Sequence, residues 1–131
     1  MKGEYKMASP NIVGLGTILG FTTSLTLNSS NETVLLNAPA DALNTVMKVN
    51  NIIVSNTTSS TVNTTVTFRG NSGGGGTAYK LANSVPVPAY STLVVIDKAS
   101  AIYLEENRSI TVTSSNGSGL LDIVASYEVI R

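Results

Sequence analysis

The chain has 131 residues, the usual length of a single domain, and can form one hydrophobic core without metal or disulfide support. Its eight Lys and Arg balance its eight Asp and Glu, and charged residues make up only 12% of the chain, which argues against nucleic acid as a ligand. There is no His and no Cys, so the usual ligands of zinc, copper and haem and the commonest general base are missing. We expect no cofactor and no metal, and the low net charge favours association between copies.

The amino-terminal region is predicted to be an extended arm over residues 1–20, followed by a single β-domain over residues 21–131. The first residues mix charges, and Met7 offers an alternative start. Glycines interrupt the apolar stretch that follows, so it is too short for a signal peptide or a membrane helix. We therefore expect a soluble protein without a membrane partner. The candidate interaction residues of the arm are Ile12, Val13, Leu15, Ile18, Leu19 and Phe21.

The rest of the chain is rich in Thr, Ser, Asn and Val, a composition that favours strands over helices. Apolar and polar residues alternate most clearly over Val62–Phe68 and from Leu121 to Val129. Further strands are predicted around Leu25–Leu27 and at Val34–Leu36, Val46–Val54, Tyr79–Val85, Leu93–Ile96 and Ile110–Thr113. Only Ala38–Thr45 could form a helical turn, and it could equally be a loop. Short strands separated by turn signals predict an all-β fold, an antiparallel β-sandwich resembling a jelly roll.

Proline and glycine mark two special segments of this sandwich. Pro86 and Pro88 lack the backbone donor that a central strand requires, so their segment is predicted to lie at a sheet edge or a crossover. Residues 70–77 are rich in glycine but lack the Lys followed directly by Ser or Thr that a phosphate-binding loop requires, so they are predicted to form the mobile tip of a hairpin. The candidate contact residues of this loop are Asn71, Gly73, Gly74 and Thr77.

The acidic residues form no pattern typical of a catalytic or metal site. Glu105 and Glu106 are adjacent, so in a strand they would point to opposite faces and could not act together on a glycosidic bond. Glu106 is predicted to lie in an exposed polar turn. The remaining carboxylates match no calcium loop. We expect no catalytic residues, and an enzyme is the least favoured class of function.

The order and spacing of several segments resemble small virion proteins of tailed bacteriophages, with marine and cyanobacterial phages as the nearest setting. The segments are Met47–Asn56 with Val62–Phe68, then Leu81–Lys98, Ile102–Glu106, Ser109–Val112 and Ser126–Ile130. The resemblance covers about residues 43–131 and implies a β-sandwich that assembles as a symmetric oligomer, often a trimer, on capsids, necks or tail fibres. Where the pattern has Gly after Pro-Ala, this chain has Tyr90, which disfavours a turn with positive φ.

The resemblance gives a first hypothesis of a capsid decoration or cement protein that binds the major capsid protein of the virion through its arm, after synthesis in the host cytoplasm. A second hypothesis is an adaptor on neck or tail proteins, or a receptor-binding module that contacts a host surface glycan through residues 71–77. A third, a cellular carbohydrate-binding module, would need exposed aromatic residues or calcium-binding carboxylates. Tyr79, Tyr90 and Tyr103 could each serve singly at an interface.

Overall fold

Two antiparallel sheets form the protein. The computed structural model describes residues 16–39, 44–115 and 120–131. Its strands are β1 (Ile18–Leu27), β2 (Thr33–Ala38), β3 (Val46–Asn56), β4 (Val62–Arg69), β5 (Ala78–Val87), β6 (Thr92–Ile96), β7 (Ile102–Leu104), β8 (Arg108–Ser114) and β9 (Leu121–Ile130). Single-turn 3-10 helices lie at Ser72–Gly74 and Lys98–Ser100, in the connections after β4 and β6.

The strand order is that of a jelly roll. One sheet, sheet A, has the order β1-β9-β3-β6, with β7 also paired to β3, and the other, sheet B, has the order β2-β8-β4-β5. The pairs β1 with β9, β2 with β8, β3 with β6 and β4 with β5 are those of one long hairpin folded upon itself. The pairs β3 with β9 and β4 with β8 then close this hairpin into two sheets. The predicted all-β sandwich is therefore confirmed.

The core lies between the sheets and is built from alternate residues of the central strands. In sheet A, Ile52 and Val54 of β3 lie beside Ile123 of β9, and all three side chains are fully buried. In sheet B, Val66 of β4 pairs with Val112 of β8, and both are also fully buried. Burial of each such side chain stabilises the fold by about 1.5–3 kcal/mol relative to its exposure to water.

Proline lies where the sequence predicts it. Pro86 belongs to β5, which is the edge strand of sheet B, so the missing donor costs no hydrogen bond to a further strand. Tyr90, in the turn after β5, adopts a φ of 56°. The turn thus has the positive φ that Gly favours, although Tyr occupies it.

The boundaries of other elements differ from the predictions. β1 begins at Ile18 rather than near Leu25, so residues 18–20 of the predicted arm belong to sheet A. The short strand β7 was not among the strands predicted from periodicity, because three residues are too few to show a period. Ala38 ends β2 instead of beginning a helical turn, and residues 40–43 lie outside the described part of the chain.

A buried amide connects the two sheets at one end of the sandwich. Asn56, at the end of β3, donates from Nδ2 to the carbonyl oxygens of Val87 in sheet B (2.9 Å) and of Ser60 (2.7 Å). Its Oδ1 accepts hydrogen bonds from the backbone N–H and the hydroxyl of Thr58. One side chain therefore orders the turn between β3 and β4 and attaches it to β5.

Replacing this amide is expected to destabilise the fold. Asn56→Ala leaves the carbonyl of Val87 and the amide of Thr58 without their buried partner, and we expect a loss of about 1–3 kcal/mol in the free energy of unfolding. Asn63→Ala is the control, because the Asn63 side chain is half exposed and makes only a long contact of 3.4 Å to Ser84. Urea denaturation measures both variants, and equal losses would contradict a special role for Asn56.

Candidate interaction surface

The predicted arm residues divide between β1 and a part of the chain that lies outside the described residues. Ile12, Val13 and Leu15 lie outside residues 16–39, 44–115 and 120–131. Ile18, Leu19 and Phe21 lie in the first half of β1, where they remain 55%, 37% and 46% exposed. The structure thus brings these three predicted residues together on one edge of sheet A.

β1 is an unprotected edge strand. Its ten residues contain no charged residue and no proline, and they pair with β9 without a register shift. On its other side, no strand pairs with it in the part of the chain that the structure describes. Long, regular, apolar edges of this kind readily pair with another strand, and most proteins block them with charges, prolines or bulges.

The other edges of the sandwich are blocked in these ways. β5 contains Lys80 and Pro86 and shifts register twice against β4. β2 is short and its pairing with β8 shifts between Val34 and Leu36. β6 and β7 are shorter still and share one side of β3. β1 therefore differs from every other edge among the described strands.

An apolar cavity of about 270 Å³ opens beside β1. The rings of Phe21 and Tyr127 stack along one wall, with centroids 5.5 Å apart, and Met47 and Val129 extend this wall. Residues 37–39, at the end of β2, form the opposite wall. The cavity arises because the inward face of sheet A continues past the end of β2, and it can accept an apolar side chain from a partner.

The glycine-rich loop, residues 70–77, joins β4 and β5 as the predicted hairpin tip, but it is hydrogen-bonded to sheet B. The backbone N–H of Ser72 donates to Asn107 Oδ1 (3.1 Å), that of Gly73 to Asn37 Oδ1 (2.7 Å) and that of Gly74 to Ser109 Oγ (3.0 Å). These donors are occupied, so they are not free to bind a phosphate or a glycan. The expectation of a mobile loop is corrected by these contacts.

This loop is tightly shaped by its glycines. Gly76 has a φ of 75°, and a Cβ there would lie 2.8 Å from the backbone nitrogen of Asn71. A Cβ at Gly74 would lie 3.4 Å from Cγ2 of Thr111 and 3.5 Å from Cγ2 of Val34, so the loop passes close to the outer face of sheet B there. Asn71, Gly73 and Thr77 remain exposed on the outer side of the loop. Of the predicted loop contacts, these three are accessible to a partner.

Glu32 and Arg69 form an ion pair, and Arg69 also helps to hold the glycine-rich loop against sheet B. Arg69 donates from Nε (2.8 Å) and Nη2 (2.6 Å) to the two carboxylate oxygens of Glu32, and from Nη1 to the carbonyl of Gly76 (3.1 Å). The hydroxyl of Thr111 also donates to Glu32. The hydrogen bonds from Arg69 and then Thr111 lower the pKa of the Glu32 carboxyl below its ordinary value.

Glu106 is not the exposed residue that the sequence predicts. It lies between β7 and β8 and is only 2% exposed, whereas its neighbour Glu105 is exposed. Neither of its carboxyl oxygens has a hydrogen-bond partner among the residues that the structure describes. Burial of a polar group without a partner costs free energy, and no hydrogen bond from the described residues offsets the burial of the Glu106 carboxyl.

Aromatic residues are exposed at separate places. Tyr90 is 74% exposed, and Tyr79 and Tyr103 are about half exposed. Tyr90 stands in the turn after β5, Tyr79 lies on β5 near Phe68, and Tyr103 lies on β7. They form no common stacking platform, but Tyr90 is a single accessible ring held by a turn of unusual backbone conformation.

Residues 16–39, 44–115 and 120–131 contain no group of three or more acidic side chains placed to hold a metal ion. In the same residues, no helix is both long enough and apolar enough to cross a membrane. No protein-family model and no curated protein matches the sequence. The edge of β1 with its adjacent cavity is the exposed apolar surface that the geometry brings together.

The ion pair is expected to make stability depend on pH. Because the pKa of Glu32 is lowered by folding, its contribution is present at neutral pH and is lost as the pH falls below 4.5 through the folded-state pKa. Glu32→Gln should lower the melting temperature by a few degrees at pH 7, and the difference from the native chain should shrink at acidic pH. Thermal denaturation followed by circular dichroism tests this, with Glu128→Gln as a carboxylate control on sheet A. A difference that stays constant from pH 7 to below 4 would contradict the assignment.

Removing the buried carboxyl is expected to stabilise the protein. Glu106→Met keeps the length of the side chain without its polar atoms, and we expect a gain of about 1–3 kcal/mol in the free energy of unfolding. Glu106→Gln should gain less, because it retains a buried polar group. Chemical denaturation at pH 7 compares the two variants, and a loss of stability in Glu106→Met would show that the carboxyl has a favourable partner.

Proposed function

We propose that this protein is a non-enzymatic structural protein of a tailed-phage virion, most specifically a capsid decoration protein that binds the outer shell as an oligomer. The observation that carries the proposal is the edge of β1, where Ile18, Leu19 and Phe21 are exposed and Phe21 also lines an apolar cavity. Exposed apolar surfaces of this kind mark sites of contact with other proteins. Jelly rolls are common in viral capsid and lectin domains, and this analogy of fold adds to the proposal without establishing it.

The mechanism of such a protein is contact between surfaces. The residues before β1, including Ile12, Val13 and Leu15, would bind the major capsid protein, while the sandwich stays folded on its own core. Because such a protein binds only assembled shells, it would stabilise them by mass action. The small number of charges means that this contact would depend on apolar burial and backbone hydrogen bonds rather than on salt-sensitive ion pairs.

A second candidate is a neck or tail adaptor, or a receptor-binding module that contacts a host glycan. Tyr90 favours it, since the exposed ring could stack on a sugar. The outward side chains of Asn71 and Thr77 could add polar contacts, although the backbone donors of their loop are occupied. Copy number separates the two candidates, because shell decoration requires many more copies per particle than a tail or neck position.

Removal of residues 1–15 is the test of the first candidate. The truncation keeps all of β1, so the far-ultraviolet circular dichroism spectrum and the melting temperature should stay close to those of the full chain. Cosedimentation with purified capsids that lack this protein should show binding by the full chain and at least about tenfold weaker binding by the truncated one.

Tyr90→Ala is the matched control, because Tyr90 is hydrogen-bonded to Thr58 beyond the end of β3, at the opposite end of sheet A from Ile18, and should leave capsid binding unchanged. Unimpaired cosedimentation of the truncated chain would contradict attachment through these residues. Capsid binding that is lost in Tyr90→Ala and kept in the truncated chain would place the contact at Tyr90 and would also contradict attachment through residues 1–15.

A further inference from the structure

The free edge of β1 has the features of a self-association surface. We propose that β1 pairs antiparallel with β1 of a second copy of this chain, so that the two copies of sheet A become one continuous sheet across a two-fold axis. The inference uses the same edge that supports the proposed virion role, but its test needs only the purified chain.

The backbone of β1 determines what kind of partner can bind there. Thr17 and Arg131 exchange both of their backbone hydrogen bonds, at 2.8 and 3.0 Å. In an antiparallel ladder the direction of the backbone N–H and C=O groups alternates along the strand. The groups of every second residue after Thr17 therefore point to β9, and those of the residues between them point away from it. The N–H and C=O groups of Gly20, Thr22 and Ser24 therefore point to the free side of β1. Only an extended backbone can satisfy such a row of alternating donors and acceptors without gaps.

The absence of charge on β1 and the shape of the other edges both favour a second copy of the chain as that partner. β1 contains no charged residue, so two copies of it meet without like-charge repulsion, and the whole chain has a formal net charge of zero. The other described edges of a second copy are short, shifted in register, or blocked by Lys80 and Pro86. β1 of the other copy is the described edge that combines no charge, no proline and no register shift.

The exposed side chains select the register. Residues whose backbone groups point to the free side must pair with the equivalent residues of the second copy. Side chains on the inward face of one copy then meet side chains on the inward face of the other. A two-fold axis at Gly20 meets both conditions and places Leu19 opposite Phe21 of the other copy. Ile18 then lies opposite Thr22 of the other copy on the outer face. This register buries the three exposed apolar side chains of the edge and brings the second copy over the margin of the cavity.

The size of the contact indicates a weak dimer. A strand pair of this length is smaller than a standard interface of about 20–30 residues a side, so we expect a dissociation constant of about 1–100 µM. Because the same edge is used by both copies, the contact closes at two chains. A dimer of this kind differs from the trimer that the resemblance to virion proteins implies.

Sedimentation velocity of the full chain from about 1 µM to about 1 mM tests the proposal. We expect a reversible change from monomer to dimer over this range. Amide hydrogen exchange measured by NMR at both ends of the range adds a residue-specific readout. The amides of Ile18, Gly20 and Thr22 should gain protection as the concentration rises, whereas those of Leu19 and Phe21 should be protected at all concentrations by β9.

Two variants of Gly20 form a matched pair. Gly20 does not have a positive φ, and a Cβ at this position meets no atom within 4 Å, so Ala fits sterically. Gly20→Pro removes a donor on the free side and keeps the ladder to β9, and it should weaken association at least about tenfold. Gly20→Ala keeps the donor and should associate like the native chain. If Gly20→Pro does not fold, Ile18→Lys replaces it, because a lysine on an edge strand also opposes pairing.

A chain that remains monomeric up to about 1 mM would overturn the proposal. A trimer would overturn it as well, and so would a dimer that Gly20→Pro and Ile18→Lys both leave unchanged. Loss of dimerisation in Gly20→Pro but not in Gly20→Ala, with an unchanged circular dichroism spectrum, would support it. None of these results depends on binding to capsids, so failure here is distinguishable from failure of the proposed function.

Discussion

The alternation of apolar and polar residues along β3 and β9 is the constraint on which the rest of the structure depends. These strands are the centre of sheet A, and their inward residues, such as Ile52 and Ile123, are completely buried. A slip of one residue in their pairing would turn this apolar row towards solvent, so the register is strongly determined. The pairing with β9 sets the register of β1, and this register determines which backbone N–H and C=O groups of β1 point to the free side. The interaction surface is in this sense a consequence of the core.

The sequence was informative where one face of a strand is buried and the other is not. Val62–Phe68 and Leu121–Val129 show a clear period of two, and both are strands of the structure. The position of Pro86 on an edge was also predictable, because the missing donor is a property of the residue itself. The first half of β1 was not predicted, since Ile18 and Leu19 are both apolar and Gly20 interrupts the pattern. The inward residues in the first half of β1 extend past the opposite sheet and remain exposed. Without a buried face, this part of the strand does not need alternating apolar and polar residues.

The features that the sequence did not predict depend on contacts between distant segments. The loop at residues 70–77 has the local composition of a flexible tip, but its donors meet acceptors on Asn37, Asn107 and Ser109, which lie more than thirty positions away. Glu106 stands in a polar stretch and is nevertheless buried. Neither fact follows from local pattern, because each requires knowledge of which segments the jelly roll brings together. The candidate surface was predicted only in part: three arm residues form the edge of β1, while the cavity beside them comes from the relative lengths of β1 and β2.

The scarcity of charge has different consequences for the outer faces and for the edges. On the outer face of sheet A, hydroxyl pairs such as Thr22 with Ser126 and Ser55 with Thr92, each 3.1 Å apart, take the place of the ion pairs that other sheets use between strands. These pairs keep the faces polar without adding long-range repulsion between copies. Protection against unwanted association then depends on the geometry of each edge, through shortness, register shifts or proline. β1 has none of these protections, which is why we propose the free edge of a nearly neutral molecule, rather than a charged patch or a cleft, as its place of contact with partners.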